Sequence, residues 1–183
     1  MKILIATKNP AKLKEVRDIL GIRFDLVSLS DLPDAPEVKE TGKTFEENSF
    51  LKAKAYFEWS GIPSIADDGG LEIDALSGEP GVKSRRWPSF ADVSSGVLTE
   101  EEASEGKPGR EKTDEELIDL ALQKLKGVPR EKRTARLRTV GTFYNGIHTL
   151  SASGSIEGYI LEEKPSSWDK GYPFRGIFLV PQF

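Results

Sequence analysis

Short apolar runs separated by amphipathic stretches set the pattern at the start of the chain. Residues 3–6 form an apolar run typical of a buried strand. Asn9 has the features of a helix N-cap, with Pro10 at the first helical position and Gly21 just beyond the end. The pattern predicts a strand, a tight turn and a helix, followed by a second strand over residues 24–29.

A second helix is predicted to begin after a capping-box pattern, Thr44 and Glu47, and to end at Gly61. On a helical wheel, Lys52 lies among aromatic and small residues instead of on the charged side of this helix. A lysine in that position either extends to water or faces an anion. Helix geometry alone does not decide between the two.

Two adjacent acids, Asp67 and Asp68, follow the strand predicted over residues 62–66. The glycines 69–70 predict a turn before the next strand, 71–76, and only a turn lets neighbouring strand side chains point the same way. Acids at the end of a strand are well placed to bind Mg²⁺, and one of them can instead orient an attacking water. A solvated acidic turn explains the same residues equally well.

The second half of the chain is richer in strands. Residues 77–112 hold many glycines, prolines and charges, which predicts mostly loop with short helical pieces, and a further helix is predicted over 113–127. Residues 133–161 are predicted to form three strands, broken at the Asn145-Gly146 turn and again near Gly154. A last strand is expected within 176–181. The order predicts a mixed α/β sheet with flanking helices.

Composition narrows the class of protein. A chain of 183 residues with 37% hydrophobic and 31% charged residues is expected to be a single globular domain, 1–183. A net charge of -4 argues against non-specific binding to nucleic acid. The absence of cysteine excludes disulfides and thiolate chemistry. No apolar run suits a signal peptide or a membrane span, so we expect a cytoplasmic protein without a membrane partner.

The single histidine, His148, limits the chemistry further. A Ser-His-Asp hydrolase and most zinc hydrolases would have to use it, but it lies beside the predicted Asn145-Gly146 turn. A histidine at such a turn is usually a surface residue. Acid–base chemistry is therefore expected from carboxylates, lysines or a metal-bound water.

The start of the first helix has the features of an anion site. Its unpaired N–H groups and positive dipole end suit a phosphate, Thr7 and Asn9 add side-chain donors, and Lys12 adds a charge one turn in. An ordinary N-cap with a solvated lysine explains these residues as well. Glu40 is a third candidate acid, and Arg86 belongs to a basic loop that can contact a polyanion.

Four spaced motifs resemble those of a known family. They are Ala6-Thr7-Lys8-Asn9-Pro10-Ala11-Lys12, Glu40-Thr41-Gly42-Lys43-Thr44-Phe45-Glu46-Glu47-Asn48 with Leu51-Lys52-Ala53, Ala66-Asp67-Asp68-Gly69-Gly70-Leu71, and Pro80-Gly81-Val82-Lys83-Ser84-Arg85-Arg86. In this order they are similar to the inosine/xanthosine triphosphate pyrophosphatase family, also called Ham1-like. The resemblance implies an elongated Maf/Ham1-like α/β fold with two lobes around a central cleft, and a homodimer. It also implies Mg²⁺-dependent hydrolysis of ITP, dITP and XTP to the monophosphate and pyrophosphate, which cleanses the nucleotide pool.

The resemblance also implies residue roles. Asp68 matches the acid that activates water, with Lys52 beside it as a second catalytic residue. Glu40, Asp68 and Asp67 match the residues that bind Mg²⁺. The substrate contacts implied in this sequence are Thr7, Asn9, Lys12, Lys52, Gly69, Arg86 and Phe174.

The sequence departs from the family pattern at several positions. Gly69 replaces the usual serine, Lys83 stands where a tyrosine is common, and residues 171–178 match only loosely, with Arg175 at an aspartate position. The sequence ends at Phe183, before the final helix with a Ser-His-Arg motif that the family pattern leads us to expect. Two alternatives follow: a Maf-like pyrophosphatase with different base specificity, and an inactive nucleotide-binding remnant.

Overall fold

Six strands form one mixed sheet in the part of the chain that the structure describes. The computed structural model describes residues 1–104 and 108–181. The strands are β1 (Lys2–Ile5), β2 (Asp25–Ser28), β3 (Ser64–Ile73), β4 (Thr134–Tyr144), β5 (Thr149–Ile160) and β6 (Phe178–Leu179). Their order is β2-β1-β3-β4-β5-β6, with β1 parallel to β2 and β3, and β5 antiparallel to β6. The predicted mixed α/β class is confirmed.

The predicted helix starts are confirmed by their caps. The helices are α1 (Pro10–Leu20), α2 (Phe45–Ser60), α3 (Phe90–Ser94), α4 (Glu100–Ser104), α5 (Asp114–Lys124) and α6 (Pro173–Gly176). Asn9 accepts a hydrogen bond from the Ala11 amide at 2.9 Å, and Thr44 accepts one from the Glu47 amide at 3.1 Å. Thr113 caps α5 in the same way. None of the helices in the described residues has the length and apolar character needed to cross a membrane.

Contacts divide the chain into two compact units, each with its own hydrophobic core. The first unit contains Met1–Gly69 and Thr139–Gly154, and the second contains Gly70–Arg138 and Ser155–Phe183. The first core consists of Leu4, Ala6, Val27, Leu29, Ala53, Tyr56 and Ala66. The second core is larger and is built around Trp87, with Leu71, Ile73, Leu117, Ile118, Leu125, Phe174 and Ile177 among its members. That residues 1–183 form a single domain stays a prediction.

The predicted turn at Gly69-Gly70 is wrong, because β3 runs without a break from Ser64 to Ile73. The reason for glycine at position 70 is close packing. A Cβ atom there would lie 2.6 Å from the Gly81 carbonyl oxygen and closer still to the Ser84 hydroxyl. That hydroxyl donates to the Gly81 carbonyl and accepts from the Leu71 amide, so Gly70 leaves the room that this contact requires.

The predicted hairpin around Asn145-Gly146 is confirmed, but the expected third strand is wrong. The Asn145 side chain accepts hydrogen bonds from the amides of Ile147 and His148 at 3.1 and 2.7 Å, and Gly146 has a φ of 89°. β5 then continues through Gly154 without interruption. His148 is exposed beside the turn, as expected.

Gly70→Ala is expected to destabilise the protein by about 1–3 kcal/mol, because the added methyl group forces Ser84 or the Gly81 backbone to move. Urea unfolding followed by circular dichroism measures the change. Gly154→Ala is the matched control, since a Cβ atom at that strand position meets nothing within 4 Å. Equal unfolding midpoints for the two variants would contradict this account of Gly70.

Candidate active site

One face of α2 binds the segment that precedes the helix. The Tyr56 hydroxyl donates to the Pro36 carbonyl at 3.2 Å, and Lys52 Nζ donates to Glu40 Oε1 at 2.7 Å. Asn48 Oδ1 accepts from the Gly42 amide at 2.7 Å. Residues 48, 52 and 56 are spaced by four and share one side of the helix. The segment 36–43 therefore lies antiparallel along α2. It is called the acidic loop below, after its site residue Glu40.

These contacts settle the question that the sequence left open about Lys52. Its side chain is only 15% exposed and faces carboxylates on both sides. Nζ lies 2.7 Å from Glu40 Oε1 and 3.6 Å from Asp68 Oδ1. We call Glu40, Lys52 and Asp68 the acid–lysine cluster. In this cluster Lys52 is in electrostatic contact with an acid 12 positions before it and with another 16 positions after it.

Asp68 is the most constrained member of the cluster. It lies on the buried side of β3 and is 8% exposed. The Thr139 hydroxyl on β4 donates to its carbonyl oxygen at 3.3 Å, which links its backbone to the neighbouring strand. Its Oδ2 atom is buried and has no hydrogen-bond partner. Because an unsatisfied carboxylate oxygen is costly to bury, this atom marks a place for a donor or a cation.

Burial and the neighbouring charges set the ionisation of the cluster. Burial raises the pKa of the Asp68 carboxyl, and the Lys52 charge and hydrogen bonding from Asn48 and the Gly69 backbone oppose this without cancelling it. The Glu40 charge raises the same pKa further. For Lys52, burial lowers the pKa, but the charges of Asp68 and Glu40 outweigh it, so the pKa lies above its ordinary value. Lys52 is therefore a stable cation between two acids.

Asp67 is not part of this cluster. Adjacent strand residues point to opposite faces, and Asp67 accepts a hydrogen bond from Lys12 Nζ at 2.5 Å. Lys12 lies in the first turn of α1. The two carboxylates thus pair with lysines from two different helices, and the role of Asp67 in binding a metal stays a prediction.

Thr7 and Asn9 shape the start of α1. Thr7 Oγ1 accepts from the Asn9 amide at 3.1 Å, and Asn9 Oδ1 caps the helix at Ala11. Lys12 lies beside them in the first turn, so the structure brings together all three predicted phosphate contacts of this segment. A positive helix end with an adjacent lysine suits a phosphate group.

The carboxylates of the candidate site decide whether its residues fit the predicted Mg²⁺ ion. Within the described ranges 1–104 and 108–181, no group of three or more acidic or histidine side chains converges on one point. Glu40 and Asp68 offer two carboxylates on either side of Lys52, and the buried Oδ2 of Asp68 lacks a partner. Mg²⁺ commonly binds one or two carboxylates and completes its shell with water and substrate phosphates. The residues present therefore fit such an ion.

The remaining predicted contacts are in other settings. Gly69 lies in β3 next to Asp68 and belongs to the first unit. Arg86 and Phe174 belong to the second unit, where Arg86 is exposed and its carbonyl accepts from the Gly109 amide at 2.7 Å. Phe174 is 6% exposed and packs edge-to-face against Trp87 in the core. Its ring is used for packing, and its contact with a base stays a prediction.

Asn48 is a site residue to which the sequence patterns gave no role. It is 2% exposed, contacts the acidic loop through Gly42 and adjoins Asp68. The sequence did show that this asparagine lies one helical turn before Lys52 and on the same face of α2. That spacing shows which side Asn48 faces, but not what lies opposite.

The site combines a capped helix start, two lysines and an acid with an unpaired oxygen. This combination suits a protein that acts on phosphorylated ligands. Comparison with known proteins agrees with this class. The family model described as the Ham1 family matches residues 3–183. The chain belongs to the Ham1 family, and the family predicted from the motifs is confirmed.

Individual relatives cover most of the chain. A protein of Bacillus subtilis named dITP/XTP pyrophosphatase is 39% identical over 179 residues, which are 97% of this chain and 79% of the relative. A protein of Geobacter sulfurreducens with the same name is 39% identical over 173 residues, 93% of this chain and 77% of the relative.

Solved structures show the same fold. A Ham1 protein from Coxiella burnetii superposes with a TM-score of 0.77 at 30% identity, covering 100% of this chain and 83% of the other. A nucleoside-triphosphatase / dITP/XTP pyrophosphatase from Mycobacterium abscessus gives a TM-score of 0.71 at 33% identity, covering 99% of this chain and 84% of the other. The predicted class of enzyme, a nucleoside-triphosphate pyrophosphatase, agrees with these names.

Lys52→Met is expected to destabilise the protein by about 2 kcal/mol at pH 8, because Glu40 and Asp68 lose their shared cation. The raised pKa of the Asp68 carboxyl rises further in the variant. Ionising an acid whose folded-state pKa is raised costs stability as the pH rises through that pKa. The deficit should therefore shrink between pH 8 and pH 4, where Asp68 becomes protonated.

Urea unfolding at several pH values measures this deficit. Lys54→Met is the matched control, because Lys54 lies on the exposed side of the same helix and pairs only loosely with Glu58, at 3.7 Å. Its effect is expected to stay within about 0.5 kcal/mol at every pH. A deficit for Lys52→Met that does not depend on pH would count against the assigned coupling of Lys52 and Asp68.

Proposed function

We propose that this protein hydrolyses the inosine and xanthosine triphosphates ITP, dITP and XTP to the monophosphate and pyrophosphate in a Mg²⁺-dependent reaction, and so cleanses the nucleotide pool. The observation that carries the proposal is the buried, unpartnered Oδ2 of Asp68 beside Glu40 and Lys52. Support comes from the relatives in Bacillus subtilis and Geobacter sulfurreducens, both named dITP/XTP pyrophosphatase.

In this reaction Lys52 and the residues at the start of α1 bind and orient the triphosphate. Lys12, Thr7 and Asn9 at the start of α1 contact phosphate oxygens, which suit the positive end of a helix. Lys52 adds a largely buried ammonium group that stays protonated, because Glu40 and Asp68 raise its pKa. Charge neutralisation and positioning supply most of the rate enhancement in phosphoryl transfer.

Asp68 accepts the proton of the attacking water. Its raised pKa makes it a better base than an ordinary surface carboxylate. Glu40 and Asp68 are the residues that would bind Mg²⁺. When bound, the ion polarises the phosphate oxygens and lowers the pKa of its coordinated water.

Asp68→Asn is expected to lower kcat by about 10²–10⁴-fold, because the variant cannot take up the proton. Pyrophosphate release from dITP with Mg²⁺ measures the effect. Asp18→Asn is the matched control, since Asp18 is exposed on α1 and pairs with Lys14 away from the cluster. Its activity should equal that of the wild type.

The same assay tests the metal and the two alternatives. Adding EDTA should reduce wild-type activity to background, and Mg²⁺ should restore it. No pyrophosphate from any nucleoside triphosphate would refute the proposal. Activity of Asp68→Asn equal to that of the wild type would favour the inactive nucleotide-binding remnant.

A preference for inosine and xanthosine bases is expected in a substrate panel. At matched concentrations, ITP, dITP and XTP should each be turned over at least about tenfold faster than ATP, GTP, CTP and UTP, since a site that pairs with a base's polar edge rejects bases with the wrong groups.

One feature favours the alternative of different base specificity. Arg175, at a position where the family pattern has aspartate, stacks on Tyr172 with its guanidinium carbon 3.6 Å from the ring centre.

Comparable turnover of all bases would favour this Maf-like alternative.

A homodimer and a cytoplasmic location remain part of the proposal. Size-exclusion chromatography with light scattering tests whether the protein is a homodimer. A monomer at micromolar concentration would contradict it.

A further inference from the structure

Asn48 lies beside both segments that carry a carboxylate of the site, the acidic loop with Glu40 and β3 with Asp68. Its Oδ1 atom accepts from the Gly42 amide at 2.7 Å, two residues after Glu40. Its side chain also lies close enough to Asp68 to oppose the rise in the pKa of that carboxyl that burial causes. At 2% exposure it is shielded from water, which would otherwise compete for both contacts.

The acidic loop is shaped to accept Asn48. A Cβ atom at Gly42 would lie 2.6 Å from Asn48 Oδ1 and 2.7 Å from Glu47 Cβ, so only glycine allows the loop backbone to come this close. Glu47 holds the next residue, because its Oε2 accepts from the Lys43 amide at 2.6 Å. The loop end is thereby fixed to the first turn of α2, and the position of Glu40 follows from it.

We propose that Asn48 is a positioning residue, which holds the Glu40-bearing loop and the Asp68 carboxylate at a fixed separation suited to one divalent cation. The inference rests on the proposed function and adds a residue that acts through others without touching substrate. Lys52 alone does not fix this geometry, because its long side chain can follow either acid. Asn48 is short and bonds directly to backbone on the loop side, so it sets the distance.

Mn²⁺ binding without nucleotide, followed by the electron paramagnetic resonance signal of the free ion, tests the role of Asn48. Asn48→Ala is expected to weaken Mn²⁺ affinity about 10–100-fold, the usual effect of losing a group that orients a metal ligand. Gly42→Ala should act in the same direction, because it displaces the loop while leaving every polar group in place. In kinetic assays, the Mg²⁺ concentration for half-maximal rate should rise, while the KM for dITP at saturating Mg²⁺ should change little.

Ser49→Ala is the matched control. Ser49 is fully buried on the same helix and its hydroxyl lies 2.7 Å from Thr142 Oγ1, so the change costs stability without touching the acid–lysine cluster. It should lower the unfolding midpoint and leave Mn²⁺ affinity unchanged. If Asn48→Ala does not fold, Gly42→Ala carries the test.

The outcomes separate the inference from the proposed function. Wild-type Mn²⁺ affinity in a folded Asn48→Ala or Gly42→Ala variant would overturn the role of Asn48 and leave the proposed function intact. An absence of Mn²⁺ binding in the wild type would also overturn it, while pyrophosphate release by the same preparation would keep the enzyme activity. Failure of both assays in the wild type would reject the proposed function itself.

Discussion

The contact between one face of α2 and the acidic loop is the constraint on which the candidate site depends. Tyr56, Lys52 and Asn48 bind successive points of the loop at Pro36, Glu40 and Gly42. A segment without regular secondary structure has no hydrogen-bond ladder of its own, so these side chains supply what a neighbouring strand would supply elsewhere. Because this face holds the loop in place, Glu40 lies against Lys52, whose Nζ is also 3.6 Å from Asp68 of β3.

Electrostatics explains why a lysine is part of that face. Two carboxylates brought together away from water repel each other and lose hydration. Lys52 lies between Glu40 and Asp68 and offsets the repulsion, while the raised pKa of Asp68 shows that the compensation is incomplete. A cluster with residual negative charge and a buried unpaired oxygen favours an additional cation. The lysine that offsets the repulsion thus leaves the cluster with the residual charge that the proposed Mg²⁺ would neutralise.

Local signals predicted the helix starts and the hairpin, because caps and the Asn145-Gly146 turn depend on a few neighbouring residues. Gly70 was misread as a turn residue, since the atoms that require it belong to Ser84 and Gly81, more than ten positions away. The place of Asn48 was not predictable for the same reason: periodicity shows which side of α2 it faces, but not that a loop folds back there. The family motifs identified all three members of the acid–lysine cluster, but not how they are arranged.

Because β3 is unbroken, the side chains of the adjacent residues Asp67 and Asp68 lie on opposite faces of the strand. In a turn, both carboxylates would point the same way and compete for one partner. On an unbroken strand the alternation of side chains separates them, so that Asp67 pairs with Lys12 of α1 and Asp68 with Lys52 of α2. Each acid then pairs with one lysine, and both lysines are among the predicted substrate contacts. Two consecutive residues on one strand therefore position charged side chains from two helices.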